Sequence, residues 1–415
     1  MSRDRLSKKL RNRMRSALAG VPAGQPSPLV PNDLLRAHES LFGFLTAFAP
    51  GKRVLIQGAL SGFPAAMAQE RGADSVTAVL PTGRAVRYAQ RAWPAAAQTF
   101  TTSASGAFDL VIARGDAAGL GRVLEPAAET VLLHLSPRVA FTPEWRRDED
   151  SLRARFATVR RFVHRAVSTL DLASPDVSTL TPADFRFDEL LAGEELPRES
   201  LTVLYLATNE PPWSPPDFRL HLGCGPVALP GWINIDNRPY PGVDLVWDLA
   251  LGIPFRNARY AFAEHFIEHL SLDQGASFLE GCRAALGERG ILRLSTPNLD
   301  WVWSATYHPR EWSGDREAVR DCLALNRSFR GWGHQFLYNR TMLTAALRRA
   351  GFAAVSERTY GESDDPELRG IEHHERYPDL PDVRHVLVLE ASGRAEPEAP
   401  YEELEAEFRR DLNVV

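Results

Sequence analysis

The chain has 415 residues, 44% of them hydrophobic and 24% charged, with a net charge of -5. That length exceeds one ordinary core and points to two domains, while the negative balance excludes a general electrostatic attraction to nucleic acid or an anionic membrane. Three widely spaced cysteines (Cys224, Cys282, Cys322) fit neither a disulfide framework nor a Cys-x-x-Cys zinc site. No apolar run approaches the roughly 18 residues of a membrane span, and no signal-peptide core follows the start, so the expected compartment is the reducing cytosol.

Residues 1–29 form a basic amphipathic segment. Arg3, Arg5, Lys8, Lys9, Arg11, Arg13 and Arg15 stand against Asp4 alone, and Leu6, Leu10, Met14 and Leu18 recur every four residues near one helix face. Through residues 1–19 such a helix suits an anionic membrane surface or an acidic protein partner. A solvated or internally docked helix fits the same narrow stripe, which lacks aromatics.

A first alternating pattern fills residues 30–208. Lys52 to Gly62 reads as a strand running into a glycine turn, Phe63 to Arg71 as a helix and Ser75 to Val79 as the next strand. Phe108 to Ala113 and Thr130 to Leu135 supply further strands, and Leu201 to Leu206 a closing one. Between them Arg146 to Arg165 reads as a charged helical stretch. Strands alternating with helices predict a parallel, doubly wound sheet. Residues 209–217, with Pro211, Pro212, Pro215 and Pro216, read as a linker.

A second pattern occupies 218–393. Leu220 and Leu222 lie in a short apolar run ending in Gly223-Cys224-Gly225, and a second run, Gly231 to Ile235, ends in Asp236. A glycine turn lets a ligand approach the backbone, and an acid after the next strand accepts hydrogen bonds from ribose hydroxyls; together they suit an adenosine-containing cofactor. Either acid position, Asp236 or the later Asp248, serves equally to cap a turn. Val243 to Trp247 is closed by Asp248 and Leu249, and Tyr260 to Ala263 leads into Glu264-His265-Phe266-Ile267-Glu268-His269, which reads as a helix start. Gly290 to Asn298 is the last marked strand, and the acidic tail 394–415 reads as helical from Tyr401 to Leu412.

This order resembles the class I S-adenosylmethionine (SAM) dependent methyltransferases over residues 217–392. It looks most like a bacterial branch with a Leu-Gly-Cys-Gly turn, a Gly-Trp-x-Asn-x-Asp second strand and a Glu-His-x-x-Glu-His segment. The resemblance implies an α/β protein of two tandem doubly wound Rossmann-like domains. It would put Gly223, Cys224 and Gly225 beneath the methionine part and ribose of SAM, Asp236 on the ribose hydroxyls, and Asp248 on the adenine amino group with Leu249 beside the ring. Glu264 would line the methionine end. Only Pro226 to Pro230 separate the turn from Gly231, too few for the usual crossover, so the first helix must be displaced or reduced to a turn. The first half also resembles the family, in decayed form, with Gln57 for an acid, Leu60 for the middle glycine and Leu80 for the ribose-binding acid. Leu80 cannot accept from hydroxyls, which leaves ribose unpaired at a cost of about 1–3 kcal/mol. The first domain is therefore expected to keep the fold without the cofactor.

Methyl transfer from a sulfonium mainly needs alignment, and a hydroxyl acceptor gains from a base. The candidates are His265 and His334, with His373 and His374 behind them. His265 and His269 are spaced as a metal-binding pair, but no third ligand accompanies them at a recognisable interval, so no metal site is expected. The Asn/Asp-Pro-Pro-aromatic signature of enzymes methylating exocyclic amines of bases is replaced by Ser295-Thr296-Pro297-Asn298, and aromatic-basic interleaving is lacking, which disfavours nucleic acid. The resembling bacterial proteins are linked to sugar and cell-surface polysaccharide synthesis, which implies a saccharide or small-molecule hydroxyl as acceptor. Trp301, Trp303, Tyr307 and Trp312 suit stacking on a sugar face or filling a lid. A SAM-binding regulator or scaffold without catalysis fits the same motifs; a dinucleotide dehydrogenase does not, since the turn lacks the third glycine and a helix start for the pyrophosphate.

Overall fold

The computed structural model describes residues 32–58, 62–94, 97–114, 127–135, 143–166, 184–197, 200–210, 213, 218–306, 311–374 and 377–412. The basic segment 1–29, Leu60, Tyr307 and the prolines of 209–217 lie outside the described residues. Contacts divide the chain into two units: Met1–Ser214 with Asp236–Pro254, and Pro215–Ile235 with Phe255–Val415.

In the first unit, helix α1 (Asn32–Leu45) precedes β1 (Arg53–Gln57), α2 (Phe63–Glu70), β2 (Ser75–Val79), α3 (Gly83–Ala92), β3 (Gln98–Thr101), β4 (Ala107–Arg114) and β5 (Ala127–Leu135). Then follow α4 (Pro143–Arg155), β6 (Thr158–Ala166), β7 (Phe185–Glu189) and β8 (Ser200–Thr208). They form an eight-stranded sheet in the order β3-β2-β1-β4-β5-β8-β6-β7. Strands β1 to β5 pair in parallel, and β8, β6 and β7 pair antiparallel. Leu110, Val111, Ile112 and Ala113 are all fully buried, as expected of a parallel strand covered on both faces.

The charged stretch read as helical up to Arg165 is a helix only to Arg155; from Thr158 it is strand β6. The physical reason is a period-two burial pattern, with Thr158, Arg160, Phe162 and His164 buried on one face, and charges that find cross-strand partners. Arg160, itself buried, pairs with Glu189 of β7 at 2.9 Å and donates to the Trp213 carbonyl at 3.1 Å.

The second sheet carries β9 (Arg219–Leu222), β10 (Ile233–Asp236), β11 (Leu245–Val246), β12 (Ala258–Glu264), α5 (Leu272–Ala285) and β13 (Leu286–Pro297). After these come α6 (Leu299–Thr306), α7 (Asp315–Arg330), α8 (Arg340–Arg349), β14 (Ala354–Arg358), β15 (Val386–Ser392) and α9 (Glu402–Leu412). The seven strands run in the order β11-β10-β9-β12-β13-β15-β14. Strands β10, β9, β12 and β13 pair in parallel, and β15 and β14 antiparallel. No helix stands between β9 and β10, in keeping with the short Pro226 to Pro230 connection.

Both sheets are therefore mostly parallel and doubly wound, in tandem. In each, the strand order reverses beside the first strand, between β1 and β4 and between β9 and β12. A crevice opens at such a switch point, outside the carboxyl ends of the strands, and ligands bind there. Among the described residues no helix is long and apolar enough to cross a membrane.

Candidate functional site

At the second switch point β9 ends in a glycine turn. Gly223 has φ +71° and Gly225 φ +54°, left-handed conformations that cost a side-chain-bearing residue roughly 1–2 kcal/mol. The amides of Gly223 and Cys224 both donate to the Ile235 carbonyl, at 2.8 and 3.0 Å, which ties the turn to β10. A Cβ on Gly223 would collide with the Phe266 ring, whereas one on Gly225 would meet nothing within 4 Å. The turn is thus packed from behind at its first glycine and open at its second. Cys224 between them is buried, and its thiol donates to the Gly225 carbonyl at 3.5 Å.

Strand β10, which ends in Asp236, lies against β9 with Ile235 opposite Leu222. An oxygen of Asp236 accepts from the Arg238 amide at 2.9 Å. Asp248 follows β11, and its Oδ1 accepts from the Ala250 amide at 3.1 Å, capping the short turn Leu249–Leu251. Capping occupies one carboxylate oxygen of Asp248 and buries Leu249 beside it.

Strand β12 ends in Glu264, and its carboxylate is well occupied. It accepts from the backbone amides of His373 and His374 at 2.8 and 3.1 Å, and lies 3.2 Å from His374 Nδ1. Burial opposes the charged form of Glu264, but these donors outweigh it and hold the carboxyl below its ordinary value. In return the Glu264 hydrogen bond raises the His374 pKa. The pair anchors the loop carrying His373 and His374 over the end of the strand.

The next residue overturns the helix expected from Glu264 onward. His265 has φ +48°, a left-handed conformation, and residues Ile267–His269 form only a single 3-10 turn. The α-helix begins at Leu272, where Ser271 and Gln274 make a reciprocal capping box. His265 and His269 therefore do not share a helix face. His265 stands with its ring 4.6 Å from that of His374, and its Nδ1 donates to Glu268 Oε1 at 3.0 Å. Among the described residues its buried Nε2 has no hydrogen-bond partner. His269 instead meets His334, ring centroids 5.1 Å apart.

Glu268 is the hub. It is fully buried, receives His265 on one oxygen and the Thr296 hydroxyl on the other at 3.0 Å, and its backbone carbonyl accepts the amides of Gln335 and Phe336. Burial disfavours its charge, but the hydrogen-bond donors that reach it, His265 first among them, together outweigh it and hold its carboxyl below the usual range. Sequence reasoning had the histidines and Glu268 in view but not Thr296 or Tyr360, whose hydroxyl reaches Glu264 at 3.4 Å. No local signal could have found them, because these partners lie 28 and 96 residues away along the chain.

At the first switch point residues 59–61 lie outside the described residues. Gly58 keeps a left-handed φ of +71° after Gln57. Leu80, which follows β2, is buried in the core. A Cβ on Gly62 would lie 2.5 Å from Trp93 and 3.0 Å from Phe100, so apolar side chains pack closely against that glycine.

No protein-family model and no curated protein matches the chain. Among solved structures it is similar to the magnesium protoporphyrin IX methyltransferase of Synechocystis PCC 6803 with bound SAM, at 16% identity over 50% of this chain and 94% of that one, TM-score 0.31. It is also similar to a putative RNA methyltransferase of Pyrococcus horikoshii, at 15% identity over 50% of this chain and 97% of that one, TM-score 0.30. A third is the ribosomal protein L11 methylase of Lactobacillus delbrueckii subsp. bulgaricus, at 14% identity over 42% and 79%, TM-score 0.26. At scores of this size the likeness says nothing about activity.

Proposed function

We propose that the second sheet carries a SAM-dependent methyltransferase that acts on the hydroxyl of a saccharide or other small molecule. The observation that supports it most is the open, left-handed turn Gly223 to Gly225 at the switch point, with Asp236 closing the adjacent strand. Gly223, Cys224 and Gly225 would pass beneath the methionine and ribose, Asp236 would take the ribose hydroxyls, and Asp248 would offer its uncapped oxygen to the adenine amino group beside Leu249. Glu264 would border the methionine end while holding the His374 loop. SAM, when bound, supplies an activated sulfonium methyl, so the protein need only align an acceptor and take its proton.

His265 is the residue proposed for that proton. Glu268 accepts from its Nδ1, which leaves the lone pair of the neutral ring on Nε2. The functional division follows the sequence: a cofactor-free first domain at 30–208, a linker at 209–217, the methyltransferase at 218–393, and flanking segments 1–29 and 394–415. Crowding around Gly62 and the burial of Leu80 support the loss of cofactor from the first domain. Residues 1–19 would contact an anionic membrane or an acidic protein, and the compartment would be the cytosol.

Calorimetry with SAM and S-adenosylhomocysteine on the whole chain and on Asp236→Ala tests the proposal. One site, lost in the variant, is the expected result; no binding, or a second site that survives the substitution, would overturn it. Binding without methyl transfer to any hydroxyl acceptor would favour the regulator or scaffold.

A further inference from the structure

We propose that Glu268, His269 and His334 form a binding site for one divalent transition-metal ion of the zinc type. One ligand atom from each lies within 4.8 Å of the others. Two imidazoles and a carboxylate are the donor set such ions take, with the remaining coordination positions left to water or an oxygen ligand.

Three features make this a built site rather than a chance meeting of side chains. First, backbone bonds clamp the two chain segments together. The Gln335 and Phe336 amides donate to the Glu268 carbonyl at 2.7 and 3.2 Å, and the Gln335 side chain donates to the His269 carbonyl at 2.5 Å. His334 is thereby held beside residues 268 and 269, whatever its side chain does.

Second, the imidazoles present lone pairs. His334 Nδ1 lies 2.7 Å from the Ser328 carbonyl, which can only accept, so Nδ1 carries the proton and Nε2 is left to ligate. This backbone-carbonyl brace is the usual outer-shell support of a metal-bound histidine. The His269 ring meets that of His334 edge to face, with centroids 5.1 Å apart. Glu268 is braced in the same sense, with His265 on one oxygen and Thr296 on the other; each oxygen keeps a second lone pair.

Third, the turn that delivers His334 is strained. Trp332 has φ +55°, and Gly333, φ +86°, faces His269, its hypothetical Cβ 3.8 Å from Nδ1. A bulky residue in the left-handed region persists only where its surroundings over-determine it, and such positions gather at functional sites. The half-buried histidines leave the site a solvent-facing side, while the carboxylate is fully buried.

This inference stands apart from the methyltransferase reading, since metal binding is read without SAM or acceptor. The untagged full-length chain, stripped with chelator, is titrated with Zn2+ by calorimetry and with Co2+ by visible absorption. One equivalent of Zn2+ should bind, and Co2+ should develop intense d–d bands of a low-coordinate site. His269→Ala and His334→Ala should each weaken binding at least about tenfold. His334→Cys should retain the metal and add a thiolate-to-cobalt charge-transfer band, a signature that serves even if an alanine variant misfolds. Absence of saturable binding, affinity unchanged in both alanine variants, or a cobalt spectrum unaltered by His334→Cys would each overturn the proposal.

Discussion

At the scale of the residue, the two glycines of the second turn have different duties, and substitution separates them. Gly223→Ala adds a methyl group into the Phe266 ring in a left-handed conformation. It should destabilise the protein by about 3 kcal/mol or more in chemical denaturation. Gly225→Ala meets open space and should cost only about 1–2 kcal/mol; if the proposed cofactor lies over this turn, the new methyl would intrude on it and S-adenosylhomocysteine affinity should fall at least about tenfold by calorimetry. His221 gives a pH test. It is buried on β9, stacks on Phe262 and shares a 3.1 Å hydrogen bond with Asn234 Oδ1. Burial lowers its pKa from 6.5 to about 4. Above pH 6.5 both folded and unfolded states are neutral there and stability is complete. As pH falls toward 4 the unfolded chain binds a proton that the fold excludes, and roughly 3 kcal/mol is lost. Denaturation curves across that range should show this loss in the wild type and a correspondingly shallower pH dependence in His221→Gln. The glycines and acids of this site were legible in the sequence because φ preference and strand-end chemistry are properties of single residues. His265 was misread because nothing in its identity announces φ +48°.

At the scale of the element, the run Glu264 to His269 shows how a helical spacing can mislead. An i, i+4 pair of histidines and another of glutamates fit one helix face, yet the chain leaves β12 through a left-handed residue and a 3-10 turn. The true start signal lies further on. The Ser271 hydroxyl accepts from the Gln274 amide at 3.3 Å, and the Gln274 side-chain oxygen accepts from the Ser271 amide at 3.0 Å. Ser271→Ala should therefore cost about 1 kcal/mol in denaturant unfolding without altering the histidine cluster; a neutral result would remove the capping box as the helix start. Strand β6 was misread for a related reason. Its arginines read as a solvated helix surface until Glu189 and Asp188 of β7 are seen to face Arg160 and Arg165. Charge in a strand is acceptable when a neighbouring strand answers it, and a neighbour 23 to 29 residues away leaves no local trace.

At the scale of the whole molecule, contacts assign Asp236–Pro254 to the first unit although the strands on either side of it belong to the second. Trp247 packs edge-on against Phe44 at 5.5 Å and Phe187 at 5.7 Å. Arg186 donates to the Leu251 carbonyl at 2.7 Å, and the Glu189 amide to the Pro254 carbonyl at 3.1 Å. A fragment of residues 215–415 loses all of these contacts. Limited chymotrypsin digestion should cleave it after Trp247 much faster than the intact chain, where that side chain is buried, and equal rates would show that the segment holds itself. By itself the sequence determined two alternating α/β patterns and a glycine turn with acids at the ends of the following strands. Those follow from periodicity and from chemistry contained within a few residues. Only the tertiary structure decided that His269 meets His334 while His265 meets Glu268 and His374, that Glu264 holds a distant loop, and that Asp236–Pro254 packs with the first unit. Each of these depends on strand order, on one backbone dihedral and on bonds between residues far apart in the chain, and such information resides in no local pattern.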